Sequence, residues 1–410
     1  MTRQTDLFPA DAAPAPTFTP TREAGLDRLR RFVPQAGRAY ADMRNHDLPG
    51  HPHVSTLSPW LRHRALTEAE VCAAVTERFS PATAEKFLQE VLWRSYFKGW
   101  LERRPGVWTE YQQGLKAARN RIATEGGLRS GWEDACAGRT GIEPFDHWAQ
   151  ELAATGYLHN HARMWFASIW MHTLRLPWEL GADFFLRHLL DGDPASNTLS
   201  WRWVAGLHTR GKTYAARASN IAKYTGDRFD GWTLGHKLRS AGEVEALDGP
   251  AHPAPRDMPG DQALPTGGRI GLLLHEDDLH PDYLLARGLE AADCAALIAP
   301  TDRSPLAVAR HVTDFTFALA QDAVTRQGGT GPVTDDPDQI AAWAEGFDHI
   351  VTPYAPTGPL ATKLARIDRP MIRPLRDWDA AAWPHTTGGF FKLKTKMADI
   401  LATVPQDMGA

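Results

Sequence analysis

Two short stretches hold the residues of this chain best suited to chemistry. Thr155-Gly-Tyr-Leu-His-Asn-His-Ala-Arg-Met164 is followed about thirty residues later by Asp191-Gly-Asp-Pro-Ala-Ser-Asn-Thr-Leu-Ser-Trp-Arg-Trp203. Together they combine polar groups suited to a charged, planar ligand with a cluster of indoles. Upstream, Ser55-Thr-Leu-Ser58 stands before a proline and an apolar residue. Hydroxyls and backbone N–H groups at a helix start suit either a simple cap or an anion. Glu90 and Arg94 have the spacing of a helical surface pair. Metal and triad hydrolysis lack their residues. His159 and His161 are two apart, on different helical faces, with no carboxylate–histidine spacing for zinc nearby. No Gly-x-Ser-x-Gly elbow is present.

The order and spacing of the blocks resemble the flavin-binding core of the DNA photolyase/cryptochrome family. There Trp-Met-His-Asn-x-x-Arg-Met and Asp-Gly-Asp-x-x-x-Asn-x-x-x-Trp-x-Trp surround a bent FAD. Tyr40 and Ser55-Thr56-Leu57-Ser58 resemble the family's phosphate-binding segment. The chain departs from that segment at Thr56, where arginine is frequent, and at Arg62-His-Arg64, where Phe-Gly is usual. The resemblance implies FAD as cofactor, with Asn160, the Arg163–Asp191 pair, Asp193 and Asn197 around it, Asn197 near the flavin N5. Glu90-Val-Leu-Trp-Arg94 resembles the substrate segment of cyclobutane-dimer photolyases. Glu90 would then hydrogen-bond the damaged pyrimidines and Trp93 stack on them, with Arg94, Asn160, Met164 and Trp203 at further pocket positions. Trp201 and Trp178 match the first two members of the family's electron-transfer chain. Trp132 and Trp108 are candidates for a third. The implied activity is blue-light repair of cyclobutane pyrimidine dimers by electron transfer from reduced flavin, which makes Glu90, Asn197, Trp201 and Trp178 the residues of the reaction. The alternative from another class is a cryptochrome-like photoreceptor that signals to a partner without repair.

Composition bounds these readings. The chain has 410 residues, enough for two cores, and a formal net charge of -4 gives no global attraction to nucleic acid. Damaged DNA as partner must therefore be met by a local basic face. Between Trp201 and Ser240 there are eight basic residues, Arg210, Lys212 and Arg217 among them, against Asp227 and Asp230 only. That composition suits phosphate contact or a merely solvated face. Three scattered cysteines exclude a disulfide framework and a four-thiolate cluster. No apolar run suggests a membrane span or secretion, so a cytoplasmic monomer is expected.

Which elements must position these residues? Residues 1–20 are rich in proline and threonine and read as a disordered tail. Residues 21–240 read as all-helical. A helix is expected from Ser80-Pro81 to Pro105, a second over His159–Leu176 and a third over Trp178–Leu190. Twelve of the 15 tryptophans fall before position 233, so the two halves differ chemically. Residues 241–267 are dense in proline and glycine and read as a linker with few packing residues. In 268–410, strands at Ile270–Leu274, Ala295–Ala299, His349–Val351 and Met371–Leu375 alternate with helical patterns such as Ser304–Arg326 and Pro337–Glu345. That alternation predicts a small parallel, Rossmann-like α/β domain. Its Gly268–Pro281 and Gly388–Lys396 segments resemble the opening and closing runs of the photolyase antenna domain, which in the family precedes the helical domain. A second, antenna chromophore is implied, its identity open.

Overall fold

The computed structural model describes residues 16–407, so most of the tail read at 1–20 lies outside the described residues. Thirteen helices precede the linker. The first seven are α1 (Arg22–Phe32), α2 (Arg38–Met43), α3 (Ser58–Arg62), α4 (Glu68–Arg78), α5 (Glu85–Arg103), α6 (Gly106–Thr124) and α7 (Gly126–Ala137). They are followed by α8 (Glu143–Thr155), α9 (Asn160–Ser168), α10 (Trp178–His188), α11 (Pro194–Val204), α12 (Ala218–Tyr224) and α13 (Gly231–Lys237). Local sequence sets several of their ends. Thr67 and Glu70 form a reciprocal capping box at the start of α4. Asp193 caps α11, with Pro194 at its first position. Gly156 ends α8 with φ 72°, and a Cβ there would come within 2.7 Å of Leu190.

Two helical expectations shift. Residues 81–84 form a turn rather than the first turn of α5, although the Ser80 hydroxyl accepts from Thr83 N–H at 3.3 Å as a cap would. The segment after His159 is α-helical only to Ser168. It then widens into a π turn, Ile169–Thr173, before Pro177.

The second half is a five-stranded parallel sheet in the order β3-β2-β1-β4-β5. Its strands are β1 (Ile270–His275), β2 (Asp293–Leu297), β3 (Val333–Thr334), β4 (His349–Val351) and β5 (Met371–Ile372). The expected helical domain followed by a parallel α/β domain is therefore what the chain forms. β3 escaped the sequence reading because two residues between Gly331 and Pro337 show no periodicity. Helices α14 (Asp282–Ala286), α15 (Arg310–Arg326), α16 (Pro337–Ala344) and α17 (Pro359–Leu364) connect the strands. Beyond β5 come α18 (Asp377–Ala382), a 3-10 turn at Trp383–His385, α19 (Phe390–Lys394), α20 (Met397–Leu401) and α21 (Val404–Asp407).

The pleat divides the sheet's side chains. Leu273, Ala295 and Ile350 join Ile340 and Leu360 in a small core on one face. Leu272 and Leu274 join the large core on the other, which runs without a break into the helical half. Trp378, Trp383, Phe390 and Leu393 belong to that same core. α5 carries much of the junction. A Cβ on Gly99 would stand 2.7 Å from Trp383, and Trp378 donates its indole N–H to Ser95 Oγ at 2.8 Å. The 241–267 segment contains neither helix nor strand, yet Arg256 binds Glu102 of α5 and Leu247 N–H bonds to the Ala205 carbonyl.

Candidate functional site

The sequence blocks converge around the N-terminus of α11. Asp191 lies in the loop before it, buried, and accepts from Arg163 Nη2 at 2.9 Å. Arg163 also donates to the Leu158 carbonyl, which fixes its guanidinium. Ser58 opens α3 without capping it, and its hydroxyl acts on Asp191 instead. Burial would raise the Asp191 pKa, but Arg163 and Ser58 hold it below the usual carboxylate range. Asp193 accepts from Ser196 N–H at 2.7 Å and faces Lys98 Nζ at 3.5 Å. Lys98, Arg62 and Arg94 together overcome its desolvation and keep it ionised. Asn197 is buried and donates its amide to the Ala182 carbonyl at 2.9 Å, so its orientation is fixed.

α5 brings a charged stripe to this place. Glu90, Arg94 and Lys98 recur every four residues and share one face of the helix. Glu90 is half-buried and paired with Arg44 of α2, not with Arg94. Burial raises its carboxyl pKa and Arg44 opposes that rise. Arg94 Nη1 is buried and has no hydrogen-bond partner among the described residues, although Asp193, Glu68 and Asp191 all lie within its field. His159 caps α9: its Nδ1 accepts from His161 N–H at 3.1 Å, which leaves the proton on Nε2. Burial lowers its pKa to about 3, so the ring is neutral, and Nε2 too is without a partner among the described residues.

The remaining expected residues are placed as follows. Tyr40 is buried edge-on to Phe87 at 5.2 Å. Thr56 sits at φ 50° and accepts from Arg28, and Leu57 is fully buried beside it. Asn160 is exposed at the start of α9, and Met164 is half-buried one turn later. Trp203 stacks on Tyr214 at 5.7 Å. Arg210, Lys212 and Arg217 are exposed. Trp201 is buried and stands 6.2 Å from Trp170. Trp178 instead faces Tyr111 at 5.7 Å, with Trp108 5.1 Å further on. Trp93 is stacked face to face on Phe390 of the second half, 3.9 Å apart and 8° from parallel.

Sequence reasoning missed Arg44, Lys98, Tyr111, Trp170 and Phe390. The four-residue recurrence of Glu90, Arg94 and Lys98 along α5 was a usable signal for Lys98. For the others the pairing is long-range and left no local mark. Among the described residues no group of three or more metal-ligating side chains forms a site, and no helix is long and apolar enough to cross a membrane.

Residues 87–231 match the family described as the FAD binding domain of DNA photolyase. A deoxyribodipyrimidine photo-lyase of Streptomyces griseus is 32% identical over 51% of this chain and 43% of its own length. A chloroplastic/mitochondrial cryptochrome DASH of Oryza sativa is 30% identical over 46% of this chain and 33% of its own. Among solved structures, a class III photolyase of Agrobacterium tumefaciens is 26% identical, with a TM-score of 0.44 over 51% of this chain and 44% of that one. The chain thus spans about half or less of the length of the curated relatives it matches.

Proposed function

We propose, for a chain whose helical half belongs to the DNA photolyase/cryptochrome family, that it binds FAD non-covalently and repairs cyclobutane pyrimidine dimers under blue light. The observation that carries this reading is Arg94: its buried Nη1 has no hydrogen-bond partner among the described residues, although Asp193, Glu68 and Asp191 lie within its field. Such a group fits an anionic ligand, because a buried cation is stable only with a partner. Tyr40, Ser55, Thr56, Leu57 and Ser58 would hold the ligand's phosphate side. Asn160, Arg163, Asp191, Asp193 and Asn197 would surround its ring. When bound and reduced, the flavin supplies a light-excited one-electron donor.

The chain's own residues do the rest. Arg163 and Lys98 keep Asp191 and Asp193 ionised, so the ring's surroundings carry fixed charge that need not reorganise. Glu90, held on Arg44, presents a carboxyl to the pyrimidine edge, and Trp93 supplies the stacking face. Trp203 and Met164 line the same pocket, while Arg210, Lys212 and Arg217 meet backbone phosphates. Trp201 and Trp178 belong to an electron path. A second, light-harvesting chromophore would be held by the α/β half.

Purified protein is expected to be coloured and to release about one equivalent of FAD on denaturation. Colourless protein that takes up no added FAD ends this reading. Trp93→Ala should weaken binding to dimer-containing DNA by about 1–3 kcal/mol, the worth of one base–aromatic stack. Undamaged duplex, held through phosphates, should bind as before at fixed salt. A second reading, a cryptochrome-like photoreceptor, is favoured by one observation: Phe390 already covers Trp93. Protein that holds FAD yet neither prefers nor restores dimer-containing DNA under light would make that reading the correct one.

A further inference from the structure

α19 crosses α5 at the residue proposed to receive a base. Phe390 is 4% exposed, lies parallel on Trp93 at 3.9 Å and edge-on to Tyr96 at 5.9 Å. A parallel ring at that spacing is the contact an extruded base would make with the same indole. The Tyr96 hydroxyl donates to the Gly388 carbonyl at 3.0 Å, and Lys394 pairs with Glu85 at 2.9 Å. Besides these polar ties, Leu393 is fully buried in the shared core, so displacement must also withdraw that side chain.

The two residues ahead of Phe390 differ from the glycines elsewhere in this junction. Gly99 is required, since a Cβ would strike Trp383. At Gly389 a Cβ would meet nothing within 4 Å, and at Gly388 only the flexible end of Lys392 at 3.9 Å. Neither has a positive φ. The docked arrangement would accept alanine at both, and two adjacent glycines only add to the entropy lost on docking. Their presence favours a second, undocked arrangement. Phe391 next to them projects into solvent, 75% exposed, and anchors nothing.

We infer that residues 388–396 form a displaceable plug: Phe390 occupies the stacking face of Trp93 in the resting protein and leaves when an extruded base takes that face. The inference rests on the reading that Trp93 receives a base. Because an oligothymidylate offers unstacked bases without any lesion, it serves as the probe. Phe390→Ala should bind it about tenfold more tightly than the unsubstituted protein, and Trp93→Ala in that background should remove the gain. Backbone amides of 388–396 should exchange with solvent much faster than those of α18, and faster still when the oligonucleotide is added. Exchange as slow as in α18, together with unchanged or weaker binding by Phe390→Ala, overturns the plug and makes Phe390 ordinary core. A tenfold gain that survives Trp93→Ala supports displacement but removes Trp93 as the base's platform, so the two failures are distinct.

Discussion

Arg64→Ala is expected to cost about 3–5 kcal/mol of stability, the scale for leaving buried carboxylates without their cation. Arg64 is buried between the halves and donates to both oxygens of Asp379 at 2.7 Å, to Glu68 at 3.1 Å and to Asp278 at 3.3 Å. Asp278 is shared with Arg376, whose Nη2 meets its other oxygen at 2.7 Å and whose Nη1 reaches Asp407. No water can take over those roles without opening the junction. Urea denaturation measures the effect, and a loss below about 1 kcal/mol would mean that solvent reaches the site. Because the core is continuous across this junction, a fragment ending at Ser240 should share the defect and unfold with a smaller urea slope than the full chain.

Arg163→Ala is expected to be as costly and to abolish flavin retention. Asp191 would keep the Ser58 hydroxyl but lose the charge that outweighs its desolvation, about 3–5 kcal/mol at neutral pH. The sign with pH follows from the direction of the shift. The Asp191 pKa is lowered in the folded protein, so its pairing stabilises fully above the ordinary carboxylate range and is lost as pH falls through the folded value. In the variant burial is opposed only by Ser58 and Arg94, the pKa rises, and the penalty disappears once the carboxyl is protonated. The stability gap should therefore be widest near neutrality and narrow as pH drops through about 4. A gap independent of pH would locate the cost in packing, not charge.

Much of this architecture was legible. Motif order located the Arg163–Asp191 pair, and alternation of apolar runs located four of five strands, though β2 lies two residues earlier than read and β5 is shorter. Helix ends were less visible at Ser80 and after Ser168, since a separate turn over residues 81–84 and a π turn interrupt the α-helices there. The junction was the least legible, and for a specific reason. Arg62-His-Arg64 departs from the family's usual Phe-Gly, while Glu276-Asp-Asp278 lies in the Gly268–Pro281 run that resembles the antenna domain's opening strand. Nothing local joins the two. In the folded chain they meet: Arg62 pairs with Glu276 and Asp277, and Arg64 with Asp278. Partners more than two hundred residues apart leave no pattern in any local window.

That separation also sets a clock for synthesis. Arg62 and Arg64 leave the ribosome early, while the last acid of the network, Asp407, lies near the far end of the described chain. At ~5–20 residues per second the intervening stretch takes roughly 20–70 s to make. Through that interval the helical half carries unpaired guanidinium groups and the bare α5 face that Trp378 and Trp383 later cover. The nascent helical half thus waits, sticky and cationic, for a second half that is made after it, and a chaperone that shields such surfaces should raise its yield.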